Sequence, residues 1–312
     1  MGRVAWLFPG QGSQAVGMGQ DLANAFPEAA AIFSEADAVL SFPLSRLCFE
    51  GPDEELTDTI NAQPAIYTHS AAVLAVLRSR GQETPHFVAG HSLGEYSALY
   101  AAGVFSFADG LRLVRERGRL MKLAGERRPG GMAAILGLSL DTVTHICEEV
   151  RQRTGGIVQV ANDNCPGQVV ISGEVEALEA AMEAAQAAGA RRVVRLAVSI
   201  AAHSALMATV QDEFAAAVDA TPMHPPQVPV VMNASAQPTT DLDTIRRHLV
   251  TQLTSPVRWT ESVQYMIQHG VDTFLEIGPG DVLSGLVKRI DRKVQRLPLG
   301  TLEQVQAFLE TL

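Results

Sequence analysis

The chain has 312 residues, of which 47% are hydrophobic and 19% charged, and its formal net charge is −10. It is long enough to fill the core of one large or two modest domains, and its negative charge argues against a general nucleic-acid binder. No window approaches the ~18 consecutive apolar residues of a membrane span, and the opening apolar run at 4–8 is too short for a signal-peptide core. We therefore expect a cytoplasmic protein with no nucleic-acid or membrane partner.

The chain opens with a strand–loop–helix unit. The apolar run Val4–Phe8 predicts a buried strand, and Pro9 with the glycine-rich turn Gly10–Gln14 ends it. Two further units predict a strand followed by a helix, at 87–90 with 94–102 and at 273–277 with 282–290. Strands that alternate with helices indicate a mainly parallel sheet covered on both faces.

A segment with a different rhythm lies between these units, from about 131 to 196. Its pattern predicts strand, helix, strand, strand, helix and strand, which is the ferredoxin-like order. We therefore expect a larger α/β-hydrolase-like domain formed by 1–130 and 197–312, with an inserted ferredoxin-like subdomain at 131–196. An active-site cleft is expected where the two parts meet.

The three cysteines, Cys48, Cys147 and Cys165, are widely scattered and lack the spacing of a metal site. An odd, scattered set in a protein without a secretory segment predicts reduced thiols, with neither a disulfide framework nor zinc. No metal site is expected.

The sequence Gly90-His91-Ser92-Leu93-Gly94 matches the GxSxG nucleophile elbow. The glycines are needed because a serine on a sharp strand-to-helix turn has a strained backbone and neighbouring chain passes close by. The turn would hold the Ser92 hydroxyl out into a cleft, and the helix behind it would offer N–H groups to an oxyanion. Ser92 is therefore the candidate nucleophile.

A serine hydroxyl needs a base to take its proton. Among eight histidines, His203 is the best placed, because it follows the last strand of the inserted segment and opens a helical pattern that runs to Val218. His86, His145 and His269 stay open on spacing alone. No aspartate between Ser92 and His203 ends a clear strand, so we expect a backbone carbonyl to orient the histidine.

Arg117 lies about two dozen residues after Ser92 on a predicted amphipathic helix. Its guanidinium could hold a substrate carboxylate through two charge-assisted hydrogen bonds. On its own it is one arginine among several, and a solvated helix face is then the better explanation.

Six ordered motifs together resemble the malonyl-CoA:acyl carrier protein transacylases of bacterial fatty acid synthesis, and the resemblance covers the whole chain. The motifs are FPGQGSQ at 8–14, GHSLGE at 90–95, RGRLM at 117–121, NDNCPGQ at 162–168, HSALM at 203–207 and QLTSPVRW at 252–259.

The resemblance implies a ping-pong reaction in which Ser92 accepts the acyl group and His203 acts as general base and acid. It implies that Arg117 grips the free malonyl carboxylate. It further implies roles for four other positions: backbone N–H groups of Gln11 and Leu93 in the oxyanion hole, the main chain of Gln252 orienting His203, and Asn162 lining the cleft.

The resemblance also implies that malonyl-CoA is a substrate, that an acidic acyl carrier protein is the partner, and that no cofactor is bound. The carrier protein and the phosphates of coenzyme A give the basic residues Arg191, Arg192, Lys288 and Arg289 a role in docking. We expect a monomer.

One segment departs from the family pattern. Ser199-Ile200-Ala201-Ala202 stands before His203, where family members often carry Pro-Phe or Pro-Ser. Ala202 leaves more room beside the acyl group, whereas Leu93 still favours malonyl over methylmalonyl by family analogy. We expect an unpaired, buried Arg117 guanidinium to reject acetyl and longer neutral acyl groups.

Other functions also match parts of the sequence. A free-standing acyltransferase of a polyketide synthase or malonate decarboxylase system would use the same chemistry. A serine esterase or thioesterase also fits GxSxG, but Arg117 and the missing triad acid argue against it. A dinucleotide-binding oxidoreductase would fit the glycines at 10–12, yet the region 28–40, where its acidic strand end belongs, predicts a helix.

Overall fold

The computed structural model describes residues 2–311, which form eleven strands and fourteen α-helices. The strands are β1 Arg3–Phe8, β2 Phe87–Gly90, β3 Gly130–Leu136, β4 Val158–Cys165, β5 Gln168–Glu174, β6 Arg192–Arg195, β7 Val230–Val231, β8 Pro238–Thr239, β9 Val257–Arg258, β10 Val271–Ile277 and β11 Gln295–Leu299. The helices are α1 Gln20–Ala25, α2 Pro27–Leu40, α3 Leu44–Glu50, α4 Asp53–Thr57, α5 Thr59–Ser79, α6 Gly94–Ala101, α7 Phe107–Arg127, α8 Leu140–Thr154, α9 Val175–Ala187, α10 Gln211–Ala220, α11 Leu242–Gln252, α12 Trp259–Gln268, α13 Val282–Ile290 and α14 Leu302–Leu309.

The larger sheet has the strand order β11-β10-β1-β2-β7-β8, and only the β7–β8 pairing is antiparallel. Its central strand β1 is apolar on both faces: Trp6 and Phe8 pack into one core, and Ala5 and Leu7 pack into the other. A parallel strand covered by helices on both sides requires this near-continuous apolar run. The predicted α/β class with a mainly parallel sheet is confirmed.

The smaller sheet has the order β6-β3-β5-β4, all antiparallel, and β9 adds a fifth strand parallel to β4. Helices α8 and α9 cover one face of it and form a separate core with β3, β4 and β5. The ferredoxin-like order is therefore present. Because β9 pairs Val257 with Asn162 of β4, the segment after 197 also reaches this sheet.

Two local predictions differ from the structure. Strand β4 ends at Cys165, four residues past the end of the predicted strand 157–161, so Asn162 and Asn164 lie in a strand. The helical pattern predicted to open at His203 begins later, as a 3₁₀ turn at Ala205–Val210, because His203 itself has a φ of 58°. A left-handed residue interrupts a right-handed helix.

Among residues 2–311 no helix is both long and apolar enough to cross a membrane. The three cysteines are buried and free, and burial raises the pKa of the Cys48 and Cys147 thiols to about 12.

Candidate active site

The turn between β2 and α6 holds Ser92 in a left-handed conformation, with a φ of 53°. This conformation costs a non-glycine residue about 1–3 kcal/mol and persists only where neighbours hold it. A Cβ at Gly90 would overlap the main chain of Gly94, and a Cβ at Gly94 would overlap the carbonyl of Phe8. Both glycines are required because chain segments pass without room for a side chain.

Ser92 Oγ lies 2.7 Å from Nε2 of His203, whose residue is only 3% exposed. The other ring nitrogen, Nδ1, lies 2.9 Å from the main-chain oxygen of Gln252 and 3.1 Å from that of Ser255. Carbonyl oxygens only accept, so Nδ1 carries the hydrogen and Nε2 is left as an acceptor for the serine proton. The histidine is oriented by main-chain carbonyls and not by a carboxylate.

The imidazole is held in its neutral form. Burial, together with the nearby charge of Arg117, lowers the pKa of His203 to about 3. A neutral ring can accept a proton at Nε2, which is what a general base requires.

Arg117 lies in the middle of α7 and is 1% exposed. Its Nη1 donates to Gln63 Oε1 at 2.7 Å, and its Nη2 donates to Gln252 Oε1 at 3.0 Å and to Ser92 Oγ at 3.2 Å. The expectation of an unpaired guanidinium is therefore wrong for its hydrogen bonds, because two amide oxygens accept from it. No carboxylate of residues 2–311 forms an ion pair with it, and its Nε has no partner there.

Sequence reasoning missed three polar residues that lie around Ser92 and Arg117. Gln63 contacts Arg117. Asn233 accepts from the Ser92 N–H through Oδ1 at 2.8 Å and donates from Nδ2 to Gly90 O at 2.7 Å. Glu95 is buried, and burial raises the pKa of its carboxyl above the usual value. Only Glu95 carried a signal, its place directly after the GxSxG turn; the other two lie in segments without a recognisable pattern.

Gln11 and Leu93 are the residues predicted to form the oxyanion hole. Gln11 lies in the loop after β1 and Leu93 begins α6, and both line the same cavity as Ser92. Within residues 2–311 neither main-chain N–H has an acceptor, whereas the Ser92 N–H is already bound to Asn233. The N-terminus of α6 adds a positive electrostatic potential next to Ser92.

The cavity has a volume of about 440 Å³ and lies between the two sheets. Arg117 and Met121 line it from α7, and Asn162, which is 6% exposed, lines it from β4. Ile200 and Ala202 form part of the wall next to His203. Both sheets thus contribute to one pocket whose size is typical of a small-molecule site.

The predicted docking residues are exposed, and Arg191, Arg192 and Arg289 contact the end of the smaller sheet where β3 stops and β5 starts. Arg289 donates from Nη1 to Gln168 Oε1 at 2.7 Å, and Gln168 lines the cavity. Leu136, the sheet partner of Gln168, accepts from the N–H of Arg191 and pairs in register with Arg192. Lys288 precedes Arg289 on α13, a helix that also lines the cavity.

No group of three or more His, Cys, Asp or Glu side chains arranged for a metal ion is found in the described part of the chain. The histidines His86, His145 and His269 are not among the residues that line the cavity.

Comparison with known proteins identifies the family. Residues 5–302 match the acyl transferase domain family. The malonyl CoA-acyl carrier protein transacylase of Bacillus subtilis (strain 168) is 46% identical over 312 residues, which cover 100% of this chain and 98% of that protein.

Solved structures agree. The malonyl CoA-acyl carrier protein transacylase of Coxiella burnetii superposes with a TM-score of 0.96 at 38% identity, covering 100% of this chain and 98% of that one. A malonyl-transacylase solved in complex with a type II PKS acyl-carrier protein has a TM-score of 0.95 at 44% identity, covering 99% of this chain and 100% of that one. The chain therefore belongs to the acyl transferase domain family and, within it, to the malonyl CoA-acyl carrier protein transacylases.

Proposed function

We propose that this enzyme transfers a malonyl group from malonyl-CoA to the phosphopantetheine thiol of an acyl carrier protein through a malonyl ester on Ser92. The observation that carries the proposal is the environment of one hydroxyl. Ser92 Oγ has the base His203 at 2.7 Å and the fixed cation Arg117 at 3.2 Å. The base activates the nucleophile, and the cation selects an acyl group that carries its own carboxylate.

In the first half-reaction, His203 Nε2 takes the proton of Ser92 as Oγ attacks the thioester carbonyl. The N–H groups of Gln11 and Leu93 donate hydrogen bonds to the carbonyl oxygen as negative charge develops on it. The carbon–sulfur bond then breaks, and His203 returns the proton to the sulfur of coenzyme A. Throughout this step Arg117 holds the malonyl carboxylate.

The second half-reaction reverses these roles. His203 takes the proton of the carrier thiol, the sulfur attacks the ester carbonyl, and the bond from that carbon to Ser92 Oγ breaks. The proton returns to Oγ. Nothing is oxidised or reduced, so these residues can carry the transfer without a redox cofactor.

The esterase or thioesterase reading has less support. Main-chain oxygens of Gln252 and Ser255, rather than a carboxylate, accept from His203, and a buried arginine lies where an esterase would bind a neutral acyl group. The chain is also a member of a transferase family along nearly its whole length.

We further propose that the exposed residues Arg191, Arg192, Lys288 and Arg289 dock the acidic carrier protein. Their support is their common place around Gln168 at the edge of the cavity. A local basic edge on a chain of net charge −10 would guide an acidic partner to the entrance.

We also propose that the enzyme is a monomer, that it is cytoplasmic, and that it supplies malonyl groups to fatty acid synthesis. The names of the relatives support that supply role. Polyketide supply is the second candidate, since a 44% identical transacylase was solved with a polyketide carrier protein. Transfer rates to purified carrier proteins of each pathway would separate the two supply roles.

We also propose that residues 1–130 and 197–312 form one domain and residues 131–196 a second, smaller one. The two separate sheets support this division.

The test of the acyl-transfer proposal is intact-mass analysis after incubation with malonyl-CoA. Wild-type enzyme should gain one malonyl group and lose it when a carrier protein is added, and Ser92→Ala should gain none. An adduct that survives Ser92→Ala, or a wild-type enzyme without an adduct, would contradict the proposal.

A further inference from the structure

Glu95 is a buried carboxyl group that the reaction scheme leaves without a role. It lies one turn after Ser92 on α6 and is 1% exposed. Its Oε2 accepts from the main-chain N–H of Asn233 at 2.6 Å, and its Oε1 accepts from Gln252 Nε2 at 2.9 Å. Burial of a carboxyl group destabilises the folded protein unless hydrogen-bond partners replace the lost water. The two partners of Glu95 therefore indicate what its burial achieves.

The first contact leads to the nucleophile. Asn233, whose main-chain N–H donates to Glu95, binds the elbow at two points, the Ser92 N–H and Gly90 O. These bonds help to fix the left-handed backbone of Ser92. Glu95 thus acts on the nucleophile through one intermediate residue.

The second contact leads to the base and the cation. Gln252 Nε2 also donates to Ser92 O at 3.0 Å, and Gln252 Oε1 accepts from Arg117 Nη2 at 3.0 Å. The main-chain oxygen of the same residue accepts from His203 Nδ1. One glutamine therefore touches the elbow, the base and the carboxylate-binding cation.

The direction of the Gln252 amide is decisive. Its NH₂ group faces Glu95 and Ser92 O, which accept, and its oxygen faces Arg117, which only donates. A rotated amide would set its NH₂ group against the guanidinium, donor against donor. Glu95 favours the orientation in which Arg117 keeps an acceptor.

We propose that Glu95 is a positioning residue of the acyl-transfer site, which orients the Gln252 amide and thereby fixes Arg117 for the malonyl carboxylate. This proposal rests on the proposed function. Glu95 touches neither substrate nor reacting atoms and acts through Gln252 and Asn233.

Glu95→Gln tests this role with little change in volume. A glutamine has one acceptor oxygen, so it can serve the Asn233 N–H or the Gln252 NH₂ group but meets the other donor with its own NH₂ group. Arg117 would then lose one of the two amide oxygens that hold it and keep only that of Gln63. We expect the rate of malonyl ester formation on Ser92 to fall by roughly 10- to 100-fold, and the malonyl-to-acetyl rate ratio to fall about tenfold or more.

The matched control is Glu276→Gln. Glu276 is equally buried, and its two oxygens accept from the main-chain N–H groups of Leu283 and Ser284. This variant loses a comparable buried carboxyl group whose hydrogen bonds go to α13 and not to Gln252 or Asn233, and its malonyl-to-acetyl ratio should match wild type. Circular dichroism and thermal unfolding establish that each variant is folded.

The rate ratio decides the proposal, because it is independent of how much enzyme is active. An unchanged ratio in folded Glu95→Gln overturns it. If Glu95→Gln does not fold, Gln252→Met, which keeps the main-chain oxygen for His203, must lower the ratio, and an unchanged ratio there overturns the proposal too. A wild-type enzyme that gains no malonyl ester would instead refute the proposed function.

Discussion

Arg117 Nη2 donates to the Oγ atom of Ser92 across 3.2 Å, so the buried cation and the nucleophile already touch without an acyl group. When Oγ becomes an ester oxygen, the malonyl carboxylate is separated from the ester carbonyl by a single methylene group. It therefore stays within reach of the guanidinium. On the proposed function, acyl selectivity is therefore set at the atom where the reaction occurs.

Arg117→Ala should reverse this selectivity. Hydrogen bonds to charged groups contribute about 1.5–3 kcal/mol each, so the rate of malonyl ester formation should fall by roughly 100-fold or more, and acetyl ester formation should increase. Intact-mass time courses with malonyl-CoA and acetyl-CoA measure both rates. Arg119→Ala is the control, since Arg119 lies on the same helix but is paired with Glu116 at the surface. Equal losses for both acyl groups would contradict the role given to Arg117.

The rate of acyl-enzyme formation should not follow the ordinary histidine titration. The pKa of His203 is lowered to about 3, below the ordinary value of about 6.5, so Nε2 stays unprotonated as the pH falls through 6.5 and gains a proton only near pH 3. Single-turnover rates should therefore be nearly constant between about pH 5 and 7. A tenfold decline for each pH unit below 6.5 would show that the imidazole titrates normally.

Protein stability, unlike the acylation rate, should depend on pH between 3 and 6.5. Because the unfolded chain binds a proton on His203 below about pH 6.5 and the folded chain does not, the free energy of unfolding should decrease as the pH falls from 6.5 toward 3. His69, whose pKa burial lowers to about 4, should act in the same direction. Urea unfolding at several pH values measures this slope. His203→Ala should have a shallower slope than wild type, and an unchanged slope would contradict the lowered pKa.

Asn233→Ala should loosen the nucleophile elbow. It removes the acceptor for the Ser92 N–H and the donor to Gly90 O, and buried groups left without partners cost about 1–3 kcal/mol each. Both the free energy of unfolding and the malonyl ester formation rate should fall. Asn61→Ala also removes two hydrogen bonds, to Glu55 and from Arg115, which are less buried and lie away from the elbow. If the two variants lose the same activity, Asn233 has no special role at Ser92.

Reversing the charge of Lys288 and Arg289 to glutamate should raise the KM for the carrier protein and weaken its salt dependence. The same reversal at Arg292 and Lys293, which are exposed at the end of the same region, is the matched control for net charge. Steady-state transfer rates at several salt concentrations provide the comparison. An unchanged KM and salt slope in the first variant would remove these residues from the docking surface.

Local chemistry in the sequence determined the elements and the chemical groups. Continuous apolar runs predicted β1, β2 and β10, because strands covered on both faces need them. The paired glycines around Ser92 predicted the elbow, because only glycine allows so close a passage of chain. Arg117 was singled out by its helix, although on its own the sequence pattern favoured a solvated surface position.

Only the tertiary structure decided which polar groups meet. His203 reaches Ser92 across 111 residues of sequence, and Glu95 reaches Asn233 across 138. Periodicity records which side of an element is buried, but not which distant group will meet a buried donor or acceptor there. The packing of the two sheets brings these segments together, and the need to satisfy each buried polar group then fixes the hydrogen bonds among them.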